Sequence, residues 1–151
     1  MLKGIDNRLN AEVLGVLRAM GHGDVLILSD TNFPADSVAR ATVTGKLLRM
    51  ENLTCGEAVN AILSVLPLDT FVEDFAGRME VVGAPHEIPP VQAEVQTEID
   101  RAEGRARPMI SIERFAFYDM ARQAYAVIQT GERRFYGCFV FKKGVIPPDA
   151  A

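Results

Sequence analysis

The sequence predicts an α/β domain in which a mixed sheet is covered by helices on both faces. Three observations carry that prediction. Short apolar segments alternate along the chain with segments of helical periodicity, the order from which layered α/β domains are built. Val25 to Leu28 is an uninterrupted apolar run, as a strand covered on both faces requires. The last two strand-like segments, Tyr125 to Gln129 and Phe135 to Phe141, are joined through Thr130-Gly131-Glu132, which reads as a hairpin and makes the sheet mixed.

Taken in order, Asn10 is placed to cap a helix in which Val13, Leu14, Leu17 and Met20 share a face, with Glu12 in its first turn and Gly21 just past its end. The Val25 to Leu28 strand follows, and Pro34 closes the loop beyond it. Asp36 to Val43 is weakly patterned and reads as a loop with a short strand around Ala41 to Val43. Thr54 and Glu57 have capping-box spacing, and Val59, Ile62, Leu63 and Leu66 mark the helix behind them, which Pro67 should end. Met79 to Val82 reads as a strand, Gly83 to Pro90 as a surface loop, and Val91 to Glu103 as a helix with a solvated charged face. Met109 to Ile112 is a strand and Ala116 to Gln123 a short helix.

A chain of 151 residues, 48% hydrophobic and 24% charged, is expected to form one domain over residues 1–151. Its net charge of −4 gives no electrostatic attraction toward nucleic acid or an anionic membrane, and favours a small neutral ligand as partner. The two cysteines, Cys55 and Cys138, lack metal or disulfide-scaffold spacing and read as buried thiols of a reducing, cytosolic compartment. No apolar run approaches the about 18 residues of a membrane span, and the first residues lack a signal-peptide layout. There is no Gly-rich phosphate loop, nucleophile elbow or HExxH, so neither a nucleotide cofactor nor a metal is expected.

The stretch Met20-Gly-His-Gly-Asp24 stands out among the remaining polar residues. A histidine is the side chain best suited to exchange protons near neutrality, and His22 is one of only two in the chain. Its glycine neighbours either leave room for a ligand or mark a tight turn with positive φ. Asp24 opens the following strand and suits a structural turn, whereas Asp30 closes it, at the strand end where α/β sheets present ligand-binding groups. Asp69 lies just past a helix. Arg107, Tyr118 and Tyr136 are ordinary surface or core residues when each is taken alone.

Together these residues resemble the RbsD/FucU family of sugar mutarotases and pyranases, and its L-fucose mutarotase branch most. The resemblance rests on Met-Gly-His-Gly-Asp at 20–24, Ser-Asp with Asn-Phe-Pro-Ala at 29–35, and Leu-Pro-Leu-Asp-Thr at 66–70. It continues in Ile-Glu-Arg-Phe-Ala-Phe-Tyr at 112–118, Thr-Gly-Glu at 130–132, Tyr-Gly at 136–137 and Lys-Lys-Gly-Val at 142–145. Gly23 and the Phe115 to Tyr118 block separate it from the ribose branch.

The resemblance implies a three-layer α/β/α fold and ring assemblies, commonly decamers, in which neighbouring subunits complete each site. It implies His22 as proton donor, Asp69 as a further catalytic participant, and Asp30, Arg107, Tyr118 and Tyr136 as sugar contacts. The third position of the family's Tyr-Gly-Asn motif is Cys138 here, where a thiol, a weak donor and acceptor, replaces an amide. The implied activity is cofactor-independent interconversion of the anomers of L-fucose or a similar aldose by acid-base catalysis. A non-catalytic sugar-binding protein and a ribose pyranase are the alternatives. Phe135, Phe139 and Phe141 offer aromatic surface for an interface.

Overall fold

The computed structural model describes residues 1–150. Its centre is a six-stranded sheet built from β1 (Val25–Ser29), β2 (Leu47–Met50), β3 (Ala76–Met79), β4 (Ile110–Ile112), β5 (Ala126–Thr130) and β6 (Phe139–Lys142) in the order β2-β5-β1-β6-β3-β4. β5 runs parallel to β1 and to β2, and β3 runs parallel to β4. β6 is antiparallel to both its neighbours, β1 and β3, so it alone reverses direction and the sheet is mixed. The hairpin expected of the last two segments is therefore not formed. β1 lies between β5 and β6, pairing Leu28 with Ile128 on one side and with Phe139 on the other.

Side-chain alternation along the strands divides the core into two layers. On one face Leu26, Leu28, Ala126, Ile128, Phe139 and Phe141 meet helices α1 (Ala11–Ala19), α3 (Cys55–Leu63) and α4 (Pro90–Glu103). On the other, Ile27, Val127, Val140 and Ile112 meet α2 (Ala35–Ala39) and α5 (Arg114–Arg122). Helices thus cover both faces in a three-layer α/β/α architecture. Phe139 and Phe141 are fully buried and belong to this core, so of the three aromatics assigned to an interface only Phe135 is exposed.

Local chemistry sets the helix starts. The Asn10 side chain accepts from the amide of Val13, and Thr54 and Glu57 form a complete capping box in front of α3. At the other end of α1, the Lys143 ammonium donates to the carbonyls of Leu17 and Met20, taking the place of a glycine cap at Gly21. Gly131 ends β5 where an added Cβ would lie 2.1 Å from the Glu51 carbonyl oxygen, a contact that only glycine avoids.

Three segment boundaries differ most from expectation. The region read as a loop and a strand at Ala41 to Val43 instead contains the short helix α2 followed by turns, and its strand lies later, at Leu47–Met50. The third strand begins at Ala76 rather than at Met79, because Gly77 and the buried Arg78 fit there against Ile112 and Gln92. The last strand begins at Phe139, since Tyr136 adopts a left-handed φ of 64° that no strand accommodates.

Candidate active site

The sequence-predicted residues fall into two groups at opposite ends of the sheet. β1, β3 and β4 share one direction, so the turn before β1, the loop before β3 and the approach to β4 all gather at one end. This end holds His22, Asp69 and Arg107. The carboxyl end of β1, the start of β6 and the start of α5 gather at the other, which holds Asp30, Tyr118, Tyr136 and Cys138. A five-residue strand rising about 3.3 Å per residue separates the two ends by roughly 13 Å. No single pyranose ring spans that distance.

At the first end, His22 sits in a turn whose following residue, Gly23, has φ 83°, so this glycine serves the backbone. Asp24 has the structural part expected of it, its carboxylate accepting from the Gly21 amide at 2.7 Å. The imidazole Nε2 lies 3.1 Å from Asp69 Oδ2, and its ring packs edge-on against Phe71 at 5.5 Å. Asp69 is nearly buried, with 6% of its side chain exposed, whereas 45% of the His22 side chain is open to solvent. The carboxylate is held from behind by the Phe71 amide at 3.0 Å. With Nε2 engaged on Asp69, Nδ1 is the ring nitrogen left to face a ligand.

Arg107 is neither exposed nor free. Its guanidinium lies 3.6 Å over the Phe75 ring, pairs with Glu103 at 3.0 Å, and donates to the Asp69 carbonyl at 2.8 Å. It thereby fixes the backbone that carries the His22 partner. Beside it, Phe71, Val72, Phe75 and Met109 line a cleft of about 500 Å³.

At the second end, Asp30 is buried and both oxygens of its carboxylate are held by the chain. Oδ1 accepts from the amides of Asn32 and Phe33, both at 2.9 Å, and Oδ2 from the Gly137 amide at 3.1 Å and the Cys138 thiol at 3.7 Å. Burial, reinforced by the Asp30 charge, pushes the Cys138 thiol well above its ordinary pKa, so it remains protonated and donates toward that carboxylate. Burial likewise raises Cys55, behind Gly137, to about 12.

Tyr118 stacks on Phe33 at 5.3 Å, with the guanidiniums of Arg114 and Arg122 over its ring at 5.7 and 6.0 Å. Tyr118, Phe33, Met79, Tyr136 and Cys138 surround a pocket of about 250 Å³ that opens on Asp30. Arg114 and Phe135 also line this pocket and were missed. Arg114 stands immediately before the Phe-Ala-Phe-Tyr run, within the block from Ile112 to Tyr118, and that position is the one available signal. The loop bearing Tyr136 is anchored by Glu132, which Arg134 holds at a pKa of about 2 through hydrogen bonds at 2.9 Å.

Among the described residues no cluster of three or more His, Cys, Asp or Glu side chains is arranged to hold a metal, and no helix is long and apolar enough to cross a membrane.

The sequence profile of the RbsD / FucU transport protein family matches residues 3–146. The chain belongs to the RbsD/FucU family. Within it, human fucose mutarotase is 41% identical over 149 residues, 96% of this chain and 94% of that protein. The crystal structure of protein Atu2016 is 65% identical, with a TM-score of 0.95 over 97% of both chains. The Streptococcus pneumoniae fucose mutarotase, crystallised in complex with L-fucose, is 32% identical, with a TM-score of 0.86 over 97% of this chain and 100% of that one. The RbsD/FucU match thus runs through both ends of the sheet and all seven candidate residues.

Proposed function

We propose that this protein is a cofactor-independent mutarotase that interconverts the α and β anomers of L-fucose. The observation that carries this reading is the His22–Asp69 pair, a half-exposed imidazole held by a nearly buried carboxylate with its second nitrogen free. The anomeric hydroxyl gives up a proton to a base, the bond from C1 to the ring oxygen breaks, and His22 protonates the ring oxygen. The open aldehyde rotates about its C1–C2 bond, and the reverse transfers close it on the other face. Asp69 orients the imidazole through its hydrogen bond to Nε2. General acid catalysis of this kind contributes about 10²- to 10⁴-fold, which is substantial for a reaction that already proceeds unaided.

Asp30, Tyr118, Tyr136 and Cys138 serve as the sugar-binding half, and Arg107 contributes by holding the Asp69 loop. Because the two halves of one chain lie too far apart for a single sugar, each site joins the His22 end of one subunit to the Asp30 end of its neighbour. Exposed apolar residues support such a contact at both ends: Phe71 at the first, Val82, Phe115 and Phe135 at the second. A contact between unlike faces builds a ring when its rotation closes. We assign a decamer to that ring, following the family resemblance.

Saturation-transfer NMR on L-fucose tests the activity. The parent protein is expected to accelerate anomer exchange, and His22→Ala to lose about 10²-fold or more of that acceleration. An unchanged rate in His22→Ala would remove the proton-donor role. A second reading, a sugar-binding protein without catalysis, is favoured by the Cys138 thiol, which turns toward Asp30 instead of offering an amide to a ligand. L-fucose binding with no acceleration of exchange selects that reading.

A further inference from the structure

Tyr136 is the only residue other than glycine with a positive φ among the described residues. A bulky side chain is strained in that region, so its surroundings must impose the conformation. Three hydrogen bonds do so. The Tyr136 hydroxyl accepts from the Val82 amide at 3.2 Å, the following amide of Gly137 donates to Asp30, and the Tyr136 carbonyl accepts from Gln92 Nε2 at 3.1 Å.

Gln92 is the unusual member of this set. It lies on α4, it is fully buried, and it is a neutral amide among Val91, Val95 and Ile99. A buried amide is tolerated only when its donors and acceptor are matched. Both of its donor bonds end on backbone carbonyls that frame the Asp30 pocket, Met79 at 2.7 Å and Tyr136 at 3.1 Å. Its oxygen accepts from Arg78 at 3.1 Å. Arg78 is itself buried and donates further to the carbonyls of Pro85 and Glu87. One side chain therefore ties α4, the end of β3 and the Tyr136 loop together. With no exposed surface, it cannot touch a sugar itself.

We propose that Gln92 is a positioning residue of the sugar site, which acts by holding the Tyr136 carbonyl in its left-handed turn and so sets the tyrosine against the pocket. This rests on the reading of Tyr136 as a sugar contact.

The test is anomer exchange by saturation-transfer NMR at graded L-fucose concentrations. Gln92→Glu keeps an acceptor for Arg78 but has no donor for the two carbonyls. Gln92→Asn stays neutral but is one methylene too short to reach both, and it decides the matter if the glutamate variant does not fold. We expect KM to rise about five- to ten-fold in each with kcat within about two-fold, the pattern of lost binding shared equally by ground and transition states. A merely structural role would instead lower the folded fraction, and with it the apparent kcat, at unchanged KM, and that result overturns the proposal. Tyr136→Ala separates the two layers. If it leaves KM unchanged, Tyr136 is not a sugar contact. If it raises KM while both Gln92 variants do not, the positioning role alone fails.

Discussion

His22 Nε2 and Asp69 Oδ2 stand 3.1 Å apart, joining a turn before β1 to a loop before β3 that is 47 residues away in sequence. The carboxylate is further fixed by the Phe71 amide and, through its backbone, by Arg107. Its geometry therefore does not depend on His22. A hydrogen bond to a charged acceptor exceeds one to a neutral acceptor by about 1 to 1.5 kcal/mol.

Asp69→Asn keeps the shape and replaces the charged acceptor at His22 Nε2 with a neutral one. It is expected to slow anomer exchange by roughly ten-fold, the rate equivalent of that difference. A rate equal to the parent's would mean that Asp69 only shapes the loop.

Cys138 points its thiol at Asp30 and has little hydrogen-bonding capacity for a sugar hydroxyl. Restoring the family's amide with Cys138→Asn is expected to add one hydrogen bond of about 0.5 to 1.5 kcal/mol and to lower KM for L-fucose about two- to ten-fold. An unchanged KM across a panel of L-fucose, L-galactose and D-ribose would show that position 138 does not reach the ligand.

Glu132 supplies a pH dependence of stability. Its buried carboxyl is held at about 2, below the ordinary 4.5, by Arg134 and by the amides of Arg134 and Cys55. Because the folded-state pKa is depressed, the stabilisation is complete above the unfolded value and is lost as pH falls toward 2. It is on the order of 2 kcal/mol, discounted because Arg134 is partly exposed. Thermal unfolding of the parent and Glu132→Gln should differ fully above about pH 5 and converge on acidification. A gap independent of pH would remove the charge from this account.

Much of this architecture is legible in the sequence because it is written in local chemistry. The Asn10 cap, the Thr54–Glu57 box and the apolar run of β1 each satisfy a local rule, and each is found where expected. The misplaced boundaries lie where distant partners override such rules. Arg78 would look wrong in a buried strand without Gln92 and the loop carbonyls to receive it. Phe135 and Tyr136 look like strand until Gln92, Val82 and Asp30 bend the chain between them.

The candidate residues were legible as a set through the family resemblance, but their division between two ends was not. It follows from the sheet order, above all from β6 inserting beside β1 in the reverse direction. Arg107 shows the same limit. Only the fold reveals that its guanidinium is spent on Asp69, Glu103 and Phe75.

The division of the site between neighbours is tested most directly by complementation. His22→Ala and Asp30→Ala are each expected to be inactive as homogeneous assemblies. Mixed through dissociation and reassembly, they place an intact His22 end beside an intact Asp30 end at about a quarter of the contacts when subunits combine at random. Saturation-transfer NMR on L-fucose should then recover about that fraction of the parent's exchange rate. Two inactive variants that remain inactive after verified mixing would contradict a site shared between subunits.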